Sequence, residues 1–183
     1  TYCQEDSLLG VHPDHALPGV DVSTGSLGQG LSIACGQALG LRKKHPESRV
    51  YAVLSDAECN EGQVWEAAMF AGHHRLKNLT VVVDCNGSQA MGRTRDILDM
   101  EPMAEKWRAF GWDAVEVNGH DVAALQEAIA PTVPTPGGRP RVVVARTVIG
   151  KAVSFMEDQV AWHYLPLSPE LKSQALHDLE ARP

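Results

Sequence analysis

Two continuous apolar runs of strand length, Val50 to Leu54 and Leu79 to Val83, flank a stretch from Gly62 to Leu76 in which Val64, Trp65, Ala68, Met69 and Ala71 recur at helical spacing. This pattern predicts a strand–helix–strand crossover between parallel strands, and unbroken apolar runs suit strands covered on both faces. The alternation continues downstream. A helix is expected around Pro102 to Phe110, a strand at Ala114 to Val117, a helix from Asp121 to Ala130 and a strand at Arg141 to Ala145. Upstream, Leu31, Ala34, Cys35, Ala38 and Leu41 mark one face of a helix that begins after Leu27 and ends near His45-Pro46. Pro131 to Pro140 reads as a connecting loop, and Leu171 to Leu179 as a last helix capped by Ser168 with Pro169 in its first turn. The expected fold class is α/β, a parallel sheet with helices on both faces.

Composition narrows the function classes. With 183 residues, 44% of them hydrophobic and 21% charged, the chain reads as one globular domain over residues 1–183. A net charge of −7 argues against a nucleic-acid partner, and the short basic patch Arg42-Lys43-Lys44 reads as the solvated end of a helix. Cys3, Cys35, Cys59 and Cys85 show no metal-ligand spacing, which fits reduced thiols in a cytoplasmic protein. No segment has the length of a membrane span, and Thr1 to Asp6 lacks the marks of a signal peptide, so no membrane association is expected. Residues 1–26, rich in Gly, Pro, His and Asp, carry no sustained period and read as an extended surface segment.

Chemistry concentrates where the two apolar runs end. Ser55-Asp56-Ala57-Glu58 follows the first, and Asp84-Cys85-Asn86-Gly87 follows the second. Ligands of open parallel sheets bind beyond the carboxyl ends of the strands, so an acid and an amide at two neighbouring ends can share one hard cation. A diphosphate bound there without metal would meet Asp56 at a cost of about 4 kcal/mol for charges roughly 4 Å apart at an effective dielectric of about 20. The acid therefore implies a divalent cation, with the Asp56 carboxylate, the Asn86 side-chain oxygen and a backbone carbonyl near Ser88 as its protein ligands. Spacing alone is served equally well by a helix cap at Asp56 and a turn at Asn86-Gly87.

The segment from Asp56 to Asn86 resembles the metal motif of thiamine diphosphate enzymes, specifically the transketolase family. His12-Pro13-Asp14 with Leu17 to Val20, and Ser23-Thr24-Gly25-Ser26-Leu27-Gly28-Gln29-Gly30, resemble that family's two cofactor-facing loops. Glu61 to Ala68 is similar to the helix after the metal motif, and Gly150-Lys151 through Val153 to Glu157 and on to Trp162-His163 is similar to its late histidine segment. The resemblance implies a thiamine diphosphate-binding fold with thiamine diphosphate and Mg²⁺ (or Ca²⁺) as cofactors. It implies Asp56, Asn86 and the Ser88 carbonyl as metal ligands, and Gly25, Ser26, Leu27, Ala57 and Glu58 at the cofactor, with the Ala57 N–H on the diphosphate. It further implies His12 and His163 facing the substrate or diphosphate, and Glu61 in a carboxylate network at a subunit interface. His15, His73, His74 and His120 are left as ordinary surface or capping residues.

In this family the cofactor moves a two-carbon ketol unit from a ketose donor to an acceptor. Two departures stand out. Ser55 and Ala57 replace the glycines of the motif, and if the second position takes φ > 0 its methyl costs roughly 1–2 kcal/mol. The sequence also corresponds to the diphosphate-binding part alone, without an upstream histidine-bearing segment or the pyrimidine-binding domain with its activating glutamate. Such a sequence reads as one piece of a split enzyme, a fragment or a relic, and the expected protein is the diphosphate-binding subunit of a split transketolase. Its expected partners are a chain carrying the pyrimidine-binding domain and a further chain with the upstream segment. Other readings fit the same motifs: transfer of the two-carbon unit to the thiol of an acyl carrier protein, a 2-oxoacid dehydrogenase, or a non-catalytic assembly subunit.

Overall fold

A computed structural model describes residue 1, residues 3–130 and residues 135–181. Its centre is a four-stranded, all-parallel sheet in the order β1-β2-β6-β5, formed by Val50–Ser55, Leu79–Cys85, Arg141–Arg146 and Asp113–Asn118 respectively. Helix α1 (Gln29–Lys44) precedes β1, and α2 (Gly62–His73) makes the crossover between β1 and β2. A two-stranded hairpin, β3 (Ser88–Gln89) and β4 (Gly92–Arg93), follows β2, and the short helix α3 (Thr94–Ile97) follows the hairpin. Helices α4 (Met103–Ala109) and α5 (Val122–Ile129) flank β5, and α6 (Pro169–Glu180) closes the described chain. No helix among the described residues is long and apolar enough to cross a membrane.

One face of the sheet builds the core. Val50 and Leu54 of β1, Leu79, Val81 and Val83 of β2, and Val142 and Val144 of β6 share that face through the strand register and pack with Leu31, Ala38, Val64, Ala68 and Trp107. Each such side chain contributes about 1.5–3 kcal/mol when fully buried. Three tryptophans lock α2 and α4 together: Trp65 and Trp107 lie 5.3 Å apart, and Trp107 meets Trp112 edge-on at 4.8 Å. The Trp112 Nε1–H donates to the Ala68 carbonyl at 2.8 Å, so the ring is held on a crossover helix whose first turn points at the strand ends. Backbone proximity is tightest where a Cβ on Gly72 would stand 1.9 Å from the Phe110 carbonyl oxygen.

On the other face, α5 covers β5 and β6, and Arg141 ties it down by donating to the Ala128 carbonyl and pairing with Asp113 at 2.7 Å. Helices therefore lie on both faces, as expected. The cover does not extend to β1. Its Tyr51 is 49% exposed and its Val53 73% exposed, which corrects the expectation that the first apolar run is covered on both sides. An unbroken apolar run looks the same on an edge strand with one covered face as on a central strand with two, and β6 is the strand that is buried from Arg141 to Ala145. The last helix is capped as expected, the Ser168 Oγ accepting the Leu171 N–H. The expected loop over 131–140 falls partly outside the described residues, and its later part forms the 3-10 turn Pro136–Gly138.

Two measurements check this packing. Gly72→Ala should lower stability by about 2–4 kcal/mol in urea unfolding, because the obstacle is backbone and cannot rotate away. In thiol titration Cys3 alone should react in the folded chain. Burial pushes the Cys35 thiol up to about 11 and the Cys85 thiol up to about 12, and raises Cys59 as well.

Candidate functional site

Parallel pairing brings the chemical residues together. Ser55 stands opposite Asp84, and the ladder runs one residue further, the Asp56 N–H donating to the Asp84 carbonyl at 3.1 Å. Past that point the chain turns in a 3-10 turn, Glu58–Asn60, that Ser55 caps by accepting the Glu58 N–H on its Oγ at 2.9 Å. Ser55 thus supplies a turn contact that a glycine there would lack. Ala57 has φ −64° and ψ −39°, so the methyl carries no backbone strain and the expected penalty does not arise.

Asp56 is 5% exposed, and donors surround its carboxylate. Oδ1 accepts the Ala57 N–H at 2.9 Å, and Oδ2 accepts the Gly87 N–H at 2.9 Å and the Thr94 Oγ–H at 3.3 Å. Burial raises its pKa above the ordinary carboxylate range, nearby Asp84 pushes the same way, and the three hydrogen bonds oppose them. The Ala57 N–H, expected on a diphosphate, donates to Asp56 Oδ1. The bond from the Gly87 N–H ties the Asn86-Gly87 loop to the Asp56 carboxylate across the strand ends.

Asn86 is oriented from two sides. Its Nδ2 donates to Asp84 Oδ2 at 3.1 Å, and its Oδ1 accepts the Ser88 N–H at 2.9 Å. Asp84 is itself held by the Thr147 hydroxyl, which donates to its Oδ1 from the end of β6. These bonds leave the Asn86 oxygen a second lone pair and leave Asp56 one of its four. No ion pair among the described residues involves Asp56 or Asp84. Two acids without an ion-pair partner among the described residues, beside an amide oxygen fixed in place, fit a hard divalent cation. Among the described residues no group of three or more His, Cys, Asp or Glu side chains is placed to hold a metal ion, so such an ion would depend on amide, carbonyl and water oxygens as well.

The remaining expected residues fall into three places. His12, Gly25, Ser26, Leu27 and Glu58 line a groove of about 980 Å³ that extends along β1 to Tyr51 and Val53. The His12 ring lies directly over Gly25, where a Cβ would come within 2.8 Å of its Cδ2. Glu58 joins groove to strand end, its Oε1 accepting the Gly28 N–H at 2.8 Å and its Oε2 the Ser55 N–H at 3.4 Å. Glu61 is exposed at the N-cap of α2, where a Cβ on Gly28 would come within 3.0 Å of its Cβ, and its side chain makes no cap bond. His163 is exposed in the 3-10 turn Val160–His163.

Of the histidines left as ordinary, the His120 Nε2 accepts the Val148 N–H, His15 meets Ser23, and the rings of His73 and His74 meet edge-on at the end of α2. Thr94, Thr147 and Arg93 escaped the sequence reading. A hydroxyl 38 or 63 residues away from its acid partner leaves no local pattern. Thr147→Val should cost about 1–3 kcal/mol in denaturant unfolding, because the half-buried Asp84 oxygen loses its donor.

The chain has clear counterparts among known proteins. The family model described as transketolase, thiamine diphosphate binding domain, matches residues 1–178. The 6-deoxy-6-sulfo-D-fructose transketolase subunit SqwG of a Clostridium species is 40% identical over 162 residues, covering 88% of this chain and 58% of the relative. An apulose-4-phosphate transketolase subunit from Actinobacillus succinogenes is 38% identical over 182 residues, covering 98% of this chain and 65% of the relative. The crystal structure of transketolase from Campylobacter jejuni superposes with a TM-score of 0.85 at 26% identity, covering 98% of this chain and 29% of that one. The chain thus spans less than two thirds of the length of these curated relatives.

Proposed function

The chain belongs to the transketolase family through its thiamine diphosphate-binding domain, and on that premise we propose that it is the diphosphate-binding subunit of a split transketolase. The observation that carries the proposal is the buried Asp56 carboxylate, without a cationic partner among the described residues, held against the Asn86 loop by the Gly87 N–H. Asp56, Asn86 and the Ser88 carbonyl would hold Mg²⁺ or Ca²⁺. Gly25, Ser26, Leu27, Ala57 and Glu58 would border the cofactor. Thiamine diphosphate, when bound, supplies the carbanion chemistry that moves a two-carbon ketol unit between sugars.

The chain's own contribution is to bind and orient. A divalent ion held by Asp56 would offset the like charge of Asp84 and attract a diphosphate, so metal and diphosphate would each raise the affinity of the other. His12 and His163 can exchange protons with sugar hydroxyls near neutral pH. Both relatives' names specify a ketose with an anionic group, phosphate or sulfonate. We extend that substrate class to this chain, in preference to a carrier-protein thiol or a 2-oxoacid. Relatives named as subunits support a partner chain, and we assign it the pyrimidine-binding domain. The open face at Tyr51 and Val53, continuous with the groove, supports a partner surface of apolar character. Four free cysteines support a reducing, cytoplasmic setting.

Calorimetry of thiamine diphosphate binding, with Mg²⁺ and with chelator, alone and mixed with a candidate pyrimidine-domain chain, tests the proposal. Binding should require the metal, and Asp56→Ala should weaken it by at least about 100-fold, more than the loss of a supporting residue. Metal-independent binding, or none in any assembly, would reject the reading.

A further inference from the structure

The loop that leads to His163 is fastened to the Asn86 loop by a guanidinium. Arg93 stands in β4 opposite Ser88 of β3, with its side chain 29% exposed. Its Nη1 donates to the Ser88 Oγ at 3.2 Å and to Asp158 Oδ1 at 2.6 Å, while its Nη2 donates to the main-chain carbonyl of Asp158 at 2.6 Å. Asp158 has φ 60°, and its N–H donates to the Ile149 carbonyl at 2.9 Å, which closes the loop 149–158 on itself. Within that loop Glu157 accepts from the Lys151 ammonium and the Ala152 N–H. The loop is braced internally, and Arg93 joins it to the hairpin.

An exposed ion pair usually contributes little, and the Asp158 carboxylate is 62% exposed. The other contacts set this pair apart. A carbonyl acceptor on the main chain fixes the backbone itself, and Ser88 is buried at 3% exposure. Ser88 therefore has two uses: its carbonyl belongs to the proposed cation site, and its hydroxyl receives Arg93. A planar guanidinium can fork onto both oxygens of Asp158 while still reaching Ser88, whereas the compact ammonium of lysine has no fork to match them.

We propose that Arg93 is a positioning residue that registers the His163 loop against the cation loop, so that filling the site at Asp56, Asn86 and Ser88 orders residues 149–163. This rests on the reading of the site given above. Ordering of Ser88 by the ion stiffens the acceptor that holds Arg93, and through Arg93 it reaches Asp158. The loop in turn favours the filled site by the same factor.

Amide hydrogen exchange of the full chain, followed by mass spectrometry, reads this directly. In the wild type, Mg²⁺ with thiamine diphosphate should slow exchange in 149–163 by about tenfold or more. Arg93→Ala should still bind the cofactor with Mg²⁺ in calorimetry and keep β1 and β2 protected, yet show no slowing in 149–163. Arg93→Lys should fall between them, and Asp158→Ala, which keeps the carbonyl acceptor, should retain part of the effect. Undiminished slowing in Arg93→Ala, or none in a wild type that binds, overturns the proposal. So does outright loss of cofactor binding in a folded Arg93→Ala chain, which would make Arg93 a direct ligand. If the wild type binds no cofactor, the reading of the site fails by itself. The positioning role is then judged on the ligand-free chains, where unchanged exchange of 149–163 in Arg93→Ala refutes it.

Discussion

Everything at the carboxyl edge of the sheet depends on the parallel pairing of β1 with β2. That pairing sets Ser55 against Asp84 and continues to the bond between the Asp56 N–H and the Asp84 carbonyl, so both strands leave the sheet at the same height. A parallel ladder requires a crossover, and α2 supplies it, held down by the tryptophan cluster. A slip of one residue would send the apolar set of β2 to the opposite face and move Asp56 away from Gly87. Core packing thus controls the spacing of two polar loops, one of which is itself anchored in the core by Cys59.

The electrostatics of the edge follow from that placement. Burial disfavours the charged form of Asp56, and the hydrogen bonds from Ala57, Gly87 and Thr94 recover only part of what hydration would supply. Asp84 adds like charge while turning the amide of Asn86. The two acids therefore stand without an ion-pair partner among the described residues, which is the ground for the metal–diphosphate pair proposed above. Glu58 serves a different purpose: by accepting the N–H groups of Gly28 and Ser55 it joins the N-terminal loop, where His12 covers Gly25, to the strand end.

Much of the fold was legible because its signals are local. The helical spacing from Leu31 to Leu41 and in Val64 to Ala71, and the run Leu79 to Val83, sit in the structure within a residue or two of the expected places. The hairpin Ser88–Gln89 with Gly92–Arg93 was not legible, since two-residue strands carry no period. Nor was the open side of β1, because Tyr51 and Val53 look like core residues until the order of the strands is known. At the site, Asp56 and Asn86 stood out as polar residues directly after apolar runs, whereas Thr94, Thr147 and Arg93 did not, being ordinary residues in polar surroundings.

By itself the sequence determined the alternation of strands and helices, the family to which the chain belongs, and the two polar tips that end the first pair of strands. Those properties are written in spacing over a few residues, where periodicity and motif order suffice. Only the tertiary structure decided which side of the sheet stays uncovered, that Ala57 sits without strain, and that Asp56 is enclosed by donors from two loops. It alone decided that Arg93 reaches Asp158, 65 residues away. Contacts of that span exist only once the sheet has ordered the chain, because no local preference encodes which distant loop will lie alongside.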